Sequence, residues 1–267
     1  MRRYLDIYRT MMKVSILEQL QYPVANYFYM VGMVAEPIIY LVVWSTVATQ
    51  QGGSINGLTP QYFAAYYIVW TLVRNMNIVF TPYGWEWRIR EGQFSMSLLK
   101  PMHPLHGDIA YFAGWKIVVI VLWLPLALVL SVIFKPELNP TIQEGIVFFV
   151  AIWGAYLIRT FTLTVLGLIT FWTTRVSALF ELYFAAELIL SGRLVPMSLM
   201  PDWVRKLAWF FPFQWTFGFP IESLVGDVPA NQLLLGLGMQ LLWIVIGIVS
   251  VGILWRFAVK RYSAVGG

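Results

Sequence analysis

Long uncharged apolar runs constrain this chain more than any other feature. Ile117 to Phe134, for example, is apolar on every face of a helix and leaves no side for water. In a bilayer each backbone N–H and C=O must be paired inside the protein, so such a run crosses as a helix. Barrel strands would need alternating segments of about ten residues, and these runs do not alternate. Apolar segments fall at about 24–49, 60–82, 108–134, 144–173, 176–193 and 231–257, near the ~20 residues that a ~30 Å hydrocarbon core demands of a helix. The stretch 194–230 is also aromatic and apolar, but Pro196, Pro201, Pro212, Pro220 and Pro229 cut it into pieces too short to cross. It is expected to form an external re-entrant hairpin between the fifth and sixth spans. The predicted fold class is therefore all-α integral membrane, a single transmembrane domain over residues 1–267 with six transmembrane helices.

Composition agrees. Hydrophobic residues make up 59% and charged residues 12%, about half the ~25% charge of soluble domains. Lipid must replace the missing polar surface. An excess of 18 Lys+Arg over 13 Asp+Glu is too modest for a nucleic-acid-binding protein, and no nucleic-acid partner is expected. Cysteine is absent, which removes disulfides, thiolate zinc sites and cysteine nucleophiles.

Before the first span, Leu5, Tyr8, Met12, Ile16 and Leu20 recur at spacings of three and four, with Arg2, Asp6, Arg9 and Lys13 on another face. That pattern predicts an amphipathic helix over 1–22 lying in the membrane interface. Those charges also interrupt the apolar core that a cleavable signal peptide would need, so none is expected. With the N-terminus inside, the inner segments hold eleven basic residues: Arg2, Arg3, Arg9, Lys13, Arg88, Arg90, Lys100, Arg175, Arg256, Lys260 and Arg261. The outer segments hold four: Lys135, Arg193, Arg205 and Lys206. The asymmetry places both termini in the cytoplasm.

Chemistry is scarce. A P-loop needs a lysine followed by Ser or Thr, and the six lysines precede Val14, Pro101, Ile117, Pro136, Leu207 and Arg261. The chain is expected not to be an ATPase, nor an enzyme of any kind, since it carries no Gly-x-Ser-x-Gly elbow and no pair of acids three or four apart within a span. His103 and His106 are separated by Pro104 and make a poor metal pair, so no metal is expected. Charges within the spans are more informative, because each is costly at mid-depth unless paired or wetted. Counted from the inner ends, Glu36 and Glu187 lie at roughly 18 Å, Arg159 at roughly 21 Å, and Arg74 and Lys116 at roughly 12 Å. Arg159 is thus expected to pair with Glu36 or Glu187, while Arg74 and Lys116 snorkel to the inner headgroups. Such charges either position helices or line a substrate path. Pro37 and Pro125 each free a backbone carbonyl and are candidate kinks.

The inner segment 83–107 is longer than a turn needs. Trp85-Glu86-Trp87-Arg88-Ile89-Arg90-Glu91-Gly92-Gln93-Phe94 mixes aromatic anchors with both charge signs, as a surface gripped by a cytoplasmic partner would. On the outer side, Trp203, Trp209, Phe210, Phe211, Phe213, Trp215, Phe217 and Phe219 crowd together, as either an interfacial belt or a gate.

These features resemble the six-span permease of ABC-2-type transporters, an architecture of many bacterial exporters. Arg90-Glu91-Gly92 running on to Leu98-Leu99-Lys100-Pro101 is similar to that family's inner-loop signature. Ser191-Gly192-Arg193-Leu194-Val195-Pro196, then Leu199-Met200-Pro201-Asp202-Trp203 and Phe211-Pro212-Phe213, resemble its fifth span and external hairpin. Val195 stands where many relatives carry an aromatic residue. The resemblance implies a permease subunit of an ATP-driven exporter in a bacterial inner membrane, paired with a second permease, the same or a related chain. Two separate nucleotide-binding ATPase subunits would hold ATP and Mg, so this chain binds no cofactor itself. Glu86, Trp87, Arg88, Arg90, Glu91, Gly92, Gln93 and Phe94 would form the ATPase-coupling elbow, and Gly192, Val195, Pro196, Trp203, Phe211 and Pro212 the external gate region. Aromatic, uncharged spans favour an amphipathic or lipid-like substrate. Two rival classes are a membrane-embedded lipid-modifying enzyme, using Glu36 or Glu187 as acid or base, and an ion channel or secondary transporter, conducting along Glu36, Arg159 and Glu187.

Overall fold

The computed structural model describes residues 2–79, 82–173, 176–226 and 228–262. Arg175, one of the basic residues counted for the inner side, lies outside them. The described residues form twelve α-helices: α1 (Arg2–Gln21), α2 (Pro23–Gly32), α3 (Ala35–Gln50), α4 (Pro60–Met76), α5 (Pro82–Arg90), α6 (Phe94–Leu98), α7 (Pro104–Phe134), α8 (Ile142–Leu168), α9 (Ser177–Leu190), α10 (Asp202–Trp209), α11 (Gly218–Val225) and α12 (Ala230–Ala258).

Among the described residues four helical stretches are long and apolar enough to cross a membrane: Pro23–Gln50, Pro104–Phe134, Ile142–Phe171 and Ala230–Arg261. The other two expected spans are shorter. α4 has 17 residues and α9 has 14, roughly 25 and 21 Å of helix. The expected second span, 60–82, is therefore a helix only to Met76, after which Asn77–Val79 continue as non-helical chain.

Local signals explain the helix starts. Thr59 accepts from the Tyr62 amide at 3.1 Å ahead of Pro60, and Thr141 and Glu144 form a reciprocal capping box on α8. His103 Nδ1 accepts from the Leu105 amide at 3.2 Å ahead of Pro104 in the first turn of α7. Pro37 explains the interruption between α2 and α3. It lacks the N–H that would bond the carbonyl four residues back, and the helix breaks at Met33–Val34. Pro125, the other candidate kink, leaves α7 helical from Pro104 to Phe134.

α4 is the centre of the bundle, with Phe63, Tyr66, Tyr67, Trp70, Val73 and Met76 each at most 1% exposed. α3, α7, α8 and α11 surround it. α8 and α12 approach closely through small residues. A side chain on Gly154 would strike the Gln240 amide, and one on Gly247 would strike Phe161. Gln240 in turn donates to the Ala151 carbonyl at 3.0 Å and the Trp215 carbonyl at 2.8 Å, fixing the turn at Trp215 to this pair.

α1 packs along α7, where Gly114 lies against the Met12 backbone and Ser15 is fully buried. Tyr8 reaches His106 Nδ1 at 2.8 Å. Tyr8, Met12 and Ile16 thus share the α7-facing side as their spacing suggests, whereas Leu5 and Leu20 are 65% and 55% exposed. The contact face is rotated toward Met11, Ser15 and Gln19, because the flat surface at Gly114 lets the helices meet there.

Candidate functional site: a mid-span charge cluster between an elbow and a strap

Glu36 sits at the midpoint of the Pro23–Gln50 span. Arg74 Nη1 donates to its Oε2 at 2.5 Å, and Arg193 Nη2 donates to both its oxygens at 2.9 and 3.0 Å. Tyr40 adds a longer hydrogen bond at 3.4 Å. Both guanidinium groups also lie over the Trp70 ring, at 5.3 and 5.6 Å from its centroid. Arg74 further donates to the Met33 carbonyl at 3.4 Å, the acceptor that Pro37 leaves without its helical donor. The break in the first span and the charge cluster are thus one device.

Arg74 does not snorkel to the headgroups. Its partner Glu36 is within reach across the α3–α4 contact, so pairing replaces the walk to water. Lys116 does not snorkel either: it is fully buried. Its ammonium donates to the Asn75 carbonyl at 2.9 Å and to the Ile78 carbonyl, with the Trp115 ring 4.6 Å away. It caps the carbonyl end of α4, which explains why that helix can stop at Met76 inside the protein. Arg159 pairs with Glu187, one of its two expected partners. Glu187 is fully buried, and the guanidinium lies near the Phe184 and Phe217 rings.

Arg193, expected on the outer side, was missed as a member of this cluster. It is brought inward by the segment 191–196. Gly192 adopts φ +81°, a region that costs side-chain-bearing residues energy, and its carbonyl accepts from Tyr66 at 2.7 Å. The Leu194 carbonyl accepts from Tyr67 at 2.9 Å and Trp44 at 3.3 Å. The Gly218 amide donates to Ser191 O at 2.8 Å, tying α11 to the strap. Val195, Pro196 and Pro212 are buried with Gly192, whereas Trp203 and Phe211 are 67% and 41% exposed. The six gate-region residues therefore divide into a pinned strap and an exposed aromatic surface. The sequence shows only that a glycine precedes the arginine; the left-handed turn that brings Arg193 inward is visible in the structure alone.

At the end of the bundle where α5 meets α7, Asp108 anchors the elbow. Its Oδ2 accepts from Arg88 at 2.8 Å and from Trp85 Nε1 at 3.1 Å, which ties α5 to the base of α7. Gly167 lets the Trp85 side chain press on α8. Phe94 is fully buried among Trp85, Phe171, Trp255 and Tyr262, and Tyr262 hydrogen-bonds the Gly92 carbonyl and Ser95. Arg88 and Phe94 thus face inward rather than toward a partner, because the span ends supply an aromatic cavity for the ring and a carboxylate for the guanidinium. Trp87, Arg90, Glu91 and Gln93 remain exposed, with Met96 and Leu99 beside them at 70% and 81%. Glu86 pairs with Arg90 at 3.3 Å. His103 packs on the Trp255 ring at 4.0 Å; burial and, less so, nearby His106 push its pKa down to about 4. No group of three or more metal-ligating side chains occurs among the described residues.

Apolar spans tied together by the Arg159–Glu187 pair and the Glu36 cluster, with an elbow fixed to the span bases, are the build of a multi-pass helical membrane protein. A family profile described as ABC-2 family transporter protein matches residues 34–266, and the chain belongs to that family. It is the membrane-subunit type of such a transporter, a class that works with ATPase partners in a membrane setting. No curated protein matches the chain.

Proposed function

We propose that this chain is the permease half of an ATP-driven exporter in a bacterial inner membrane. Two copies, or this chain and a related one, would form the path, and two separate nucleotide-binding subunits would hold ATP and Mg. The chain itself would hydrolyse nothing. In this reading α4 and α9 complete six spans, α1 rests at the inner interface, both termini are cytoplasmic, and 194–230 is the external re-entrant region.

One observation carries the proposal: Asp108 binds both Trp85 and Arg88, while the opposite side of the same elbow leaves Trp87, Arg90 and Glu91 exposed. A surface gripped by a partner moves the spans only if it is stiffly attached to them, and this one is clamped to α7, α8 and the end of α12. Closure of the ATPase pair would push the elbow, and the push would reach the Glu36 cluster through α4 and α7. The strap Gly192–Pro196, hydrogen-bonded to α3 and α4, would follow and open the outer end.

The test is to co-express the chain with its ATPase and compare it with a Trp87→Ala, Arg90→Glu, Glu91→Lys triple variant. The proposal expects loss of co-purification and of permease-stimulated ATP hydrolysis, with thermal unfolding of the permease unchanged. Full complex formation and stimulation by the variant would refute it.

A further inference from the structure

The cavity beside the charge cluster has a one-signed wall. It measures about 290 Å³, near the lower end of ligand-site sizes, and so suits a headgroup better than a whole large molecule. Its lining includes Arg74, Arg159, Arg193 and Asn77, with Tyr29, Phe184 and Phe217 among the apolar remainder. Neither Glu36 nor Glu187 lines it; each carboxylate stands behind the guanidinium that it orients. Charge does not balance either. Glu36 serves two arginines and Glu187 one, which leaves a surplus guanidinium in a low-dielectric setting. Among the described residues the Nε atoms of Arg159 and Arg193, and Oε2 of Glu187, have no hydrogen-bond partner, so the cluster is not closed on itself. The surplus positive charge on the cavity wall calls for an acceptor that carries negative charge. The helices bordering the cavity also carry exposed apolar side chains, Phe28 on α2 and Leu182 on α9, beside which an acyl or aryl tail can lie.

From this arrangement we infer that the Arg74–Arg159–Arg193 cavity binds the anionic headgroup, a phosphate or carboxylate, of an amphipathic substrate. The inference rests on the export reading for its biological sense, but the site itself needs no ATPase. Arg74 and Arg193 each hydrogen-bond Glu36 independently, so a ligand that takes over one of them leaves the other pair in place.

The test uses the full chain, without ATPase, in phosphatidylcholine nanodiscs. A fluorescent sixteen-carbon chain ending in a phosphate monoester is titrated alongside the same chain ending in phosphocholine or a hydroxyl. The phosphate-ended chain is expected to bind about tenfold tighter or more, the scale of one charge-assisted hydrogen bond. Arg193→Gln should erase most of that preference, and Arg193→Lys should keep more of it. Arg74→Gln, which leaves the Glu36–Arg193 pair, supplies a second variant should Arg193→Gln unfold. Inorganic phosphate alone should fail to displace the probe; displacement would overturn the amphiphile assignment in favour of a free-anion site. Equal affinity for the three headgroups, or a preference that survives both glutamine variants, would overturn the site altogether. Because binding is read on the permease alone, that failure leaves ATPase docking standing, and a failure of docking leaves headgroup preference untouched.

Discussion

Arg193 donates to both carboxylate oxygens of Glu36, so the strap 191–196 and the broken first span are joined by an ion pair inside the bundle. Arg74 grips the same carboxylate from α4. Glu36→Gln would leave two part-buried guanidinium groups without their anion, which should cost about 2–3 kcal/mol, below the cost of breaking a fully buried pair because all three groups keep some exposure. Arg193→Gln should cost less, about 1–2 kcal/mol, since Glu36 keeps Arg74. Thermal unfolding of the purified chain in detergent should rank wild type above Arg193→Gln, with Glu36→Gln last. Equal stability of the two variants would contradict the sharing.

Arg159 and Glu187 separate structure from pathway. Glu187→Gln alone should destabilise by about 3–5 kcal/mol, whereas Arg159→Met with Glu187→Leu should regain much of the loss, because an apolar pair of similar size replaces a buried ion pair. If the pair lines the path, the restored double variant still transports poorly. Normal transport by that variant would assign the pair to helix positioning alone.

Gly192 combines φ +81° with a Tyr66 hydroxyl only 3.0 Å from where a side chain would begin. Gly192→Ala should therefore cost about 1–3 kcal/mol and loosen the strap, read as faster hydrogen exchange over 191–196. Unchanged exchange would show that the strap does not depend on this turn.

His103 titrates in the unfolded chain near 6.5 and in the folded chain near 4. Between those values the unfolded state binds more protons, so stability falls as pH drops through that window. Its magnitude is about 3 kcal/mol at most, from the size of the shift. Protection factors across residues 92–105, which are exchange rates corrected for the intrinsic slowing of exchange in acid, should fall from pH 7 to pH 5, and His103→Gln should flatten that response. An acid response identical in the variant would move the cause elsewhere.

Glu222 runs the opposite way. Burial raises its pKa to about 7 from 4.5, against a lowering bond from the Met197 backbone. The folded state holds the extra proton here, so stability declines as pH rises from about 4.5 to 7. Glu222→Gln should remove that decline in a melting series, and an unaltered slope would contradict it.

The apolar runs made the helical bundle legible, and depth counting narrowed the partner of Arg159 to Glu36 or Glu187, of which the structure selects Glu187. The same counting misplaced Arg74 and Lys116. It assumes that a cation near a helix end goes to water, whereas Glu36 lies across from Arg74 and the frayed end of α4 needs the Lys116 ammonium. Arg193 was hidden because a loop residue's reach depends on the φ of Gly192, a three-dimensional fact. Phe94 looked like a partner-facing aromatic until Trp85, Trp255 and Tyr262 closed around it; residues far apart in sequence build that cavity. The lengths of α4 and α9 escaped for a related reason: hydropathy runs on through Ile78 and Val79 after the helix has ended.

The central claim is that the chain is moved by a separate ATPase through the clamped elbow. The direct measurement is transport into or out of proteoliposomes containing the permease alone, the permease with its ATPase, and that pair with a non-hydrolysable ATP analogue. The account predicts sustained transport only for the permease with its ATPase and hydrolysable ATP. Full transport by the permease alone, without nucleotide, would contradict it.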